Sequence, residues 1–385
     1  MIKVLHFEIR PNKEQEAKLF RILTLCRGLY NRALEERIKV YKETGKGITY
    51  YQQQNQLPKM KEEQPEYKEV PSQSLQDVLR RLDTAYKNFF DKRASYPKFK
   101  DKFHYSSFTI PQVDIERNFG EDGHIYIPKI GYVRMKAHRE FNRDQVKIIN
   151  IKYDGLKWFA NLTEEDSKTI PLPKTGKSVG LDMGLKELVV ASDGTMFHNP
   201  KWINKSEKKL KCLHRQLSRK SKGSNNKSKS KKKLAKLYSK VSNQRKDYLH
   251  KITFSIIKNY DFIAIENLQS TNMMKNHKLA KSIANASWNT IANFLSYKSL
   301  KYQKTLVKVN PQFTTQLCSQ CGELSKKSLA VRTHNCPYCG LSLDRDVNAA
   351  INILRAGTAQ IYACGDYVRP LTKRLRSSKQ ETPSS

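Results

Sequence analysis

The sequence predicts a multidomain α/β protein, and three observations predict it. Two apolar runs of strand type end on a carboxylate: "SVGLD" stops at Asp182 and "YDFIAIE" stops at Glu266. A third carboxylate, Asp346, stands where the helical pattern "VNAAINIL" begins. Between the first two carboxylates lie two strand-like segments, Glu187–Asp193 and Thr195–Asn199, suited to a hairpin. Strand, hairpin, strand and late helix follow one another in the order of an RNase H-like core. There the first strand, the fourth strand and the last helix bring three carboxylates together. Singly, each has a plainer reading. Asp182 could begin a surface turn, and Asp344 or Asp346 could be the N-cap of the last helix. In combination, Asp182, Glu266 and Asp346 are the candidate catalytic residues and the candidate ligands of Mg2+ or Mn2+, hard cations that take oxygen donors. Two such ions roughly 3.5–4 Å apart activate water and stabilise a departing oxygen.

The remaining elements follow in chain order. "IKVLHFEIR" alternates as a strand does, and Pro11-Asn12 then opens a helix with Leu19, Ile22, Leu23, Cys26, Leu29 and Leu34 on one stripe. Further helices are expected around Tyr51–Lys61 and from Ser72 onward, the latter carrying Leu75, Val78, Leu79, Leu82, Tyr86 and Phe89. From Phe103 to about Lys168 the texture is of short strands, with Asp154-Gly155 as a hairpin turn, so a small barrel or sandwich is expected. If the first strand joins it, the helical block is an insertion. "IPLPKTGK" reads as a linker.

The chain of 385 residues carries 72 Lys plus Arg against 36 Asp plus Glu, a formal charge of +36. A surplus of that size repels itself and points to a polyanionic partner. It concentrates between Lys201 and Lys251, where nineteen cations face only Glu207 and Asp247. Two helices there, one bearing Leu210, Leu213 and Leu217 and the other Leu234, Leu237 and Val241, suit an antiparallel hairpin. Its tip, "SRKSKGSNNKSKSKKK", reads as a flexible turn. With no run of eighteen apolar residues and no signal-type start, a soluble, cytoplasmic protein with no membrane partner is expected. The tail after Gly357 is expected to be largely disordered.

Of seven cysteines, Cys26, Cys212 and Cys364 stand singly, while Cys318, Cys321, Cys336 and Cys339 form two C-x2-C pairs separated by fourteen residues. Four thiolates at that spacing make a closed structural zinc site. Gly322 and Gly340 follow the second cysteine of each pair, where a positive φ is commonly needed. His334 lies nearby, but four cysteines already saturate the metal.

The set "VGLDMGLKELVVASDG", "FIAIENLQ", "CSQCG", "CPYCG" and "LDRDVNAAINILRAGTA" resembles the TnpB family of transposon-encoded RNA-guided DNA endonucleases, relatives of type V CRISPR effectors. "CRGLYNRALEER", "VPSQSLQDVLRRLDTAYKNFF", "YPKFK" and "IYIPKIGYVRMK" extend the resemblance over nearly the whole chain. The resemblance implies a RuvC-type nuclease with Asp182, Glu266 and Asp346 as metal-binding carboxylates and Cys318, Cys321, Cys336 and Cys339 in an inserted zinc finger. It also implies a guide RNA and double-stranded target DNA as partners. The expected domains are a wedge strand at 1–10, a helical recognition lobe at 11–102 and the β-barrel-like wedge at 103–170. RuvC segments at 171–312 and 342–357 then flank the zinc finger at 313–341, and a basic tail fills 358–385. Family members also read a short duplex motif beside the target. By position, Tyr51, Gln73, Gln76 and Thr109 are the candidates, since Gln and Tyr can hydrogen-bond base edges.

Two other functions remain open at this level: a nuclease-inactive, repressor-like RNA-guided DNA binder, and a transposase or transposase accessory protein. A nuclease-dead relative is expected to lack one of the three carboxylates, and all three are present. A transposase does not account for the N-terminal half.

Overall fold

In the computed structural model, which describes residues 2–102, 104–120, 123–165, 169–268, 282–283, 286–325 and 331–363, strand β1 (Ile2–Arg10) buries Leu5, Phe7 and Ile9 on one face. That alternation is the period of a half-buried strand. The chain divides into two compact units, Met1–Lys168 and Thr169–Ser385.

In the first unit β1 leads into helix α1 (Lys13–Thr44) through a reciprocal cap. The Asn12 side chain accepts from the Gln15 N–H at 2.8 Å, and the Gln15 side chain accepts from the Asn12 N–H at 3.0 Å. The stripe expected on α1 is buried throughout. The single helix expected around Tyr51–Lys61 is instead two, α2 (Tyr50–Asn55) and α3 (Leu57–Glu63), broken ahead of Pro58, which has no N–H to continue the first. Helix α4 (Ser72–Phe90) buries Leu75, Val78, Leu79 and Leu82. Buried Arg37 ties α1 to α2 by donating to Gln53 Oε1 at 2.8 Å, and to α4 through Asp83 at 3.4 Å.

The strands β2 (Ser107–Ile110), β3 (His124–Ile127), β4 (Gly131–Lys136), β5 (Val146–Tyr153) and β6 (Trp158–Glu165) join β1 in one antiparallel sheet. Its order is β2-β5-β6-β1-β4-β3. A four-residue helix, α5 (Ile115–Asn118), precedes β3. The first strand therefore lies in mid-sheet, and the helical block is inserted between it and β2. The expected barrel or sandwich is corrected to a single open sheet: among the described residues its edge strands, β2 and β3, do not pair with each other. Each has only four residues, and α4 serves the β2 edge instead. Ser74 donates to the Thr109 carbonyl at 2.7 Å and Arg81 to the Ser107 carbonyl at 2.8 Å.

The second unit is built on β7 (Ser178–Asp182), β8 (Glu187–Ala191), β9 (Met196–His198), β10 (Phe262–Glu266) and β11 (Thr305–Val309), in the order β11-β10-β7-β8-β9. The first three form an antiparallel meander, and β10 runs parallel to both β7 and β11. Helices α6 (Trp202–Ser218) and α7 (Asn225–Asn259) make the expected hairpin, with Leu210, Leu234 and Val241 buried. Its tip is shorter than expected. Ser224 caps α7, so the lysine-rich stretch after it is already helical, as lysine's straight side chain permits. Helices α7 and α8 (Trp288–Tyr302) cover one sheet face with Ile252, Ile256, Ile291 and Leu295.

The segment expected as a linker is fastened down. Thr175 and Gly176 donate their N–H groups to Asp261 at 2.7 and 2.6 Å, and buried Lys304 donates to both Asp261 and the Pro173 carbonyl. After the short hairpin β12 (Thr333–Asn335) and β13 (Ser342–Asp344), helix α9 (Arg345–Ala363) crosses the other sheet face. It runs through Gly357, so residues 358–363 are helical, contrary to the disordered tail expected there. The remainder of that tail, 364–385, lies outside the described residues.

Two glycines let α9 lie close. A Cβ on Gly180 of β7 would stand 2.0 Å from the Ala350 carbonyl oxygen, and one on Gly357 would stand 2.6 Å from the Ala264 Cβ. Gly180→Ala should therefore push α9 off the sheet and lower stability by about 3 kcal/mol. A urea titration of the variant against the parent measures it, and an unchanged midpoint would refute this account of the contact.

Candidate metal centres and the carboxylate site

Asp182 and Glu266 are the last residues of adjacent parallel strands. Ile265 pairs with Leu181, so the carboxylates that follow lie side by side at the carboxyl edge of the sheet. Both are buried. Asp346 enters from the first turn of α9. Burial first, and then the charges of Glu266 and Asp346, push the Asp182 carboxyl up from 3.8 to about 8, against an opposing pull from Arg345. Burial also raises Glu266, while the Thr314 hydroxyl, donating to its Oε1 at 2.6 Å, works the other way. Asp346 is paired with Arg345 at 3.3 Å and Arg332 at 3.5 Å. Asp344 accepts from the N–H groups of Asp346 and Val347, which gives it the capping role and leaves Asp346 to the site. Three carboxylates gathered at one edge of a sheet, two of them buried, are a set whose charge a cation would relieve, and the all-oxygen donors suit Mg2+ or Mn2+. Gly184 keeps the turn after β7 tight: a Cβ there would stand 2.8 Å from the Glu187 carbonyl oxygen.

Cys318, Cys321, Cys336 and Cys339 bring their sulfurs within 4.8 Å of one another. Among the described residues they are the only group of three or more potential ligands packed that tightly. The three carboxylates form a looser group. Gly322 (φ 81°) and Gly340 (φ 72°) donate their N–H groups to the Cys318 and Cys336 carbonyls, closing each knuckle as the sequence suggests. His334 is buried on β12 and is not a member of the group. The donor set fits a structural zinc.

Several connecting residues carry no sequence signal of their own. Asn348 of α9 accepts from the Ser319 N–H and donates to the Leu317 carbonyl, both at 2.8 Å. Asn352, one turn on, donates to the carbonyls of Thr314 and Leu317. These two amides and Thr314 bind the cysteine element to the helix that carries Asp346 and to Glu266. Only the i,i+4 spacing of the two asparagines in "NAAIN" could have hinted at it.

In the first unit, Tyr51 is exposed on α2, whereas Gln73 bonds Gln112 and Gln76 lines a small groove with Lys61 and Ser72. Thr109 is buried, its hydroxyl engaged by Arg81 and Asn150, so in this structure it braces β2 against α4.

Three family models match the chain. One described as "Probable transposase" covers residues 161–277, one described as "Cas12f1-like, TNB domain" covers 288–353, and a "Helix-turn-helix domain" model covers 1–46. In this structure the last of these is β1 followed by the single helix α1. The chain is 35% identical to "Putative RNA-guided DNA endonuclease InsQ" of Escherichia coli (strain K12), over 99% of both chains. It belongs to the IS605 OrfB family of TnpB-like proteins. A relative of the same description from Streptomyces pristinaespiralis is 34% identical over 97% of this chain and 93% of its own. Among solved structures, a Cas12f1–sgRNA–target DNA complex matches with a TM-score of 0.57 at 15% identity, covering 92% of this chain and 98% of that one. The mini-RNA-guided endonuclease Cas_phi3 matches at 0.50 and 10%, covering 93% and 92%. At those identities what the TnpB-like chain shares with them is the fold. Among the described residues, no helix is long and apolar enough to cross a membrane.

The raised Asp182 carboxyl has a measurable consequence. Between 3.8 and about 8 the folded chain holds a proton that the unfolded chain has released, so stability falls as pH rises through that window. Urea titrations in the presence of a chelator should show this fall. Asp182→Asn should flatten it, and an equally steep variant would contradict the assignment.

Proposed function

We propose that this TnpB-like chain is an RNA-guided, divalent-metal-dependent DNA endonuclease of an insertion sequence, with a single RNase H-like site formed by Asp182, Glu266 and Asp346. The observation that carries the reading is the convergence of these residues at one edge of the sheet. Two buried carboxylates end adjacent parallel strands, and the third raises the proton affinity of the first. The order of the second sheet, a three-strand meander continued by two parallel strands, supports an RNase H-like core. Mg2+ or Mn2+ held by the three carboxylates would supply Lewis-acid activation of water and neutralise charge at the scissile phosphate.

The chain's own residues prepare that site. The Thr314 hydroxyl fixes one oxygen of Glu266 and leaves the other to a ligand. Arg345 and Arg332 neutralise Asp346 in the meantime, and burial by the strands keeps bulk water from the Asp182 carboxyl. The four cysteines would hold a zinc whose task is to set the segment bearing Thr314. The first unit would act as wedge and recognition lobe for a guide RNA from the transposon end, with Tyr51, Gln73 and Gln76 available to read a flanking DNA motif. The domain limits expected from the sequence are part of the same proposal, with the last RuvC segment extended to the end of α9 at 363. A nuclease-inactive binder is disfavoured because no member of the carboxylate set is missing.

Purified with the RNA it retains from expression of its own element, the chain should cut matching double-stranded DNA only when Mg2+ or Mn2+ is added. Asp182→Ala should abolish cutting while RNA and DNA binding persist; a variant that cuts like the parent would end this reading. Metal analysis should return zinc from the parent and a clear loss from Cys318→Ser, whereas folded parent without zinc would remove the structural metal.

A further inference from the structure

The six-stranded sheet of the first unit buries one face and leaves the other open. Because Leu5, Phe7 and Ile9 point into the core, Ile2, Val4, His6 and Arg10 lie on the opposite face, where Ile2 is 73% and Val4 59% exposed. Register extends this face sideways. Val4 lies beside Thr163 and that residue beside Ile148, itself 37% exposed, while Glu8 lies beside Phe159 and Phe159 beside Lys152. On the far side, Arg10 lies beside Arg134, and Tyr132, 53% exposed, lies beside Tyr126.

Two ring pairs lie on this face, one stacked and one edge-on with planes 62° apart. His6 stacks on Phe159 with centroids 4.1 Å apart and planes 17° apart. The His6 ring is held by Asn161, which in turn donates to Asn150. Tyr126 and Tyr132 form a second pair with centroids 5.2 Å apart, and the Arg117 guanidinium lies over Tyr126. Arg134, Lys136 and Lys152 stand among these rings, and among the described residues none of the three makes an ion pair. Glu8 is already matched by Lys157 and Arg10.

Exposed apolar residues in such a setting mark a surface that meets a partner. Rings that offer a face, interleaved with cations, fit a strand whose bases are unpaired: the bases stack and the phosphates meet the lysines and arginines. A second copy of this chain would bring the same cations to the same face, against a net charge of +36 on each. A duplex would offer no bases to stack.

We propose that the open face of this sheet is a stacking platform for a single-stranded segment of RNA, with the stacked His6–Phe159 pair as its base seat. The proposal rests on the RNA-guided reading and names how part of the RNA is held. Its test needs no DNA cleavage, so it can fail while the nuclease assignment stands, and the reverse.

The probe is an unstructured oligouridine carrying photoreactive thiouridine, applied to the full chain. Cross-links should fall on peptides 2–10 and 158–165. Replacing His6 and Phe159 together by Ala should remove them and weaken binding by about tenfold or more. Phe159→Tyr, which keeps a ring, should restore binding. Both residues face solvent in part, and a thermal melt confirms that the variants fold. Duplex RNA of equal length should displace the probe poorly. Cross-links confined to the α6–α7 hairpin, a folded double variant with unchanged affinity, or equal displacement by duplex would each overturn the platform. So would a double variant that alters only self-association in sedimentation, since the face would then be a protein interface.

Discussion

The close approach of helix α9 to the sheet is the constraint on which the rest of the second unit depends. A helix lying on a sheet normally keeps its distance because side chains stand between the two backbones. Here Gly180 and Gly357 remove that spacer, and Ala264, Ala349 and Ala350 fill the seam with the smallest alternatives. The first turn of α9 is thereby drawn to the edge where β7 and β10 end. A helix held a methyl group farther out would carry Asp346 away from the edge where Asp182 and Glu266 end.

The same helix organises the cysteine element. Asn348 and Asn352 satisfy backbone groups of Leu317 and of buried Thr314 and Ser319, where unmet partners would be costly. Thr314 in turn orients Glu266. The four cysteines and the three carboxylates are therefore joined by a short path of hydrogen bonds, with α9 as its rigid member.

Much of this was legible in the residues, for identifiable reasons. A carboxylate ending an apolar run is costly unless something compensates it, so Asp182 and Glu266 stood out, and the spacing of the four thiols is nearly self-declaring. Family membership then followed from motifs spread along nearly the whole chain. What stayed hidden were relations between distant segments. Gly180 reads as one small residue in a strand, and only the arrival of α9, some 170 positions later, shows why no side chain fits. Thr314, Asn348 and Asn352 are ordinary polar residues until their partners are in place. The linker before β7 follows the boundary between the two units, but what fastens it, Asp261 and Lys304, lies far along the chain. The open sheet was read as a barrel because short alternating strands specify pairing partners but not closure.

The place of β1 in its sheet has a consequence during synthesis. Leu162, the neighbour of Leu5 in the sheet, is made more than 150 residues after it. At ribosomal rates of 5–20 residues per second that is a wait of roughly 8–30 s, during which an apolar strand has no sheet to enter. Helices α1 and α4 can form in the interval from local contacts, and they must do so without trapping β1 on the wrong face. Strand β1 thus waits for partners made much later, and the yield of folded chain in the cell should depend on how well it is sheltered until β6 emerges.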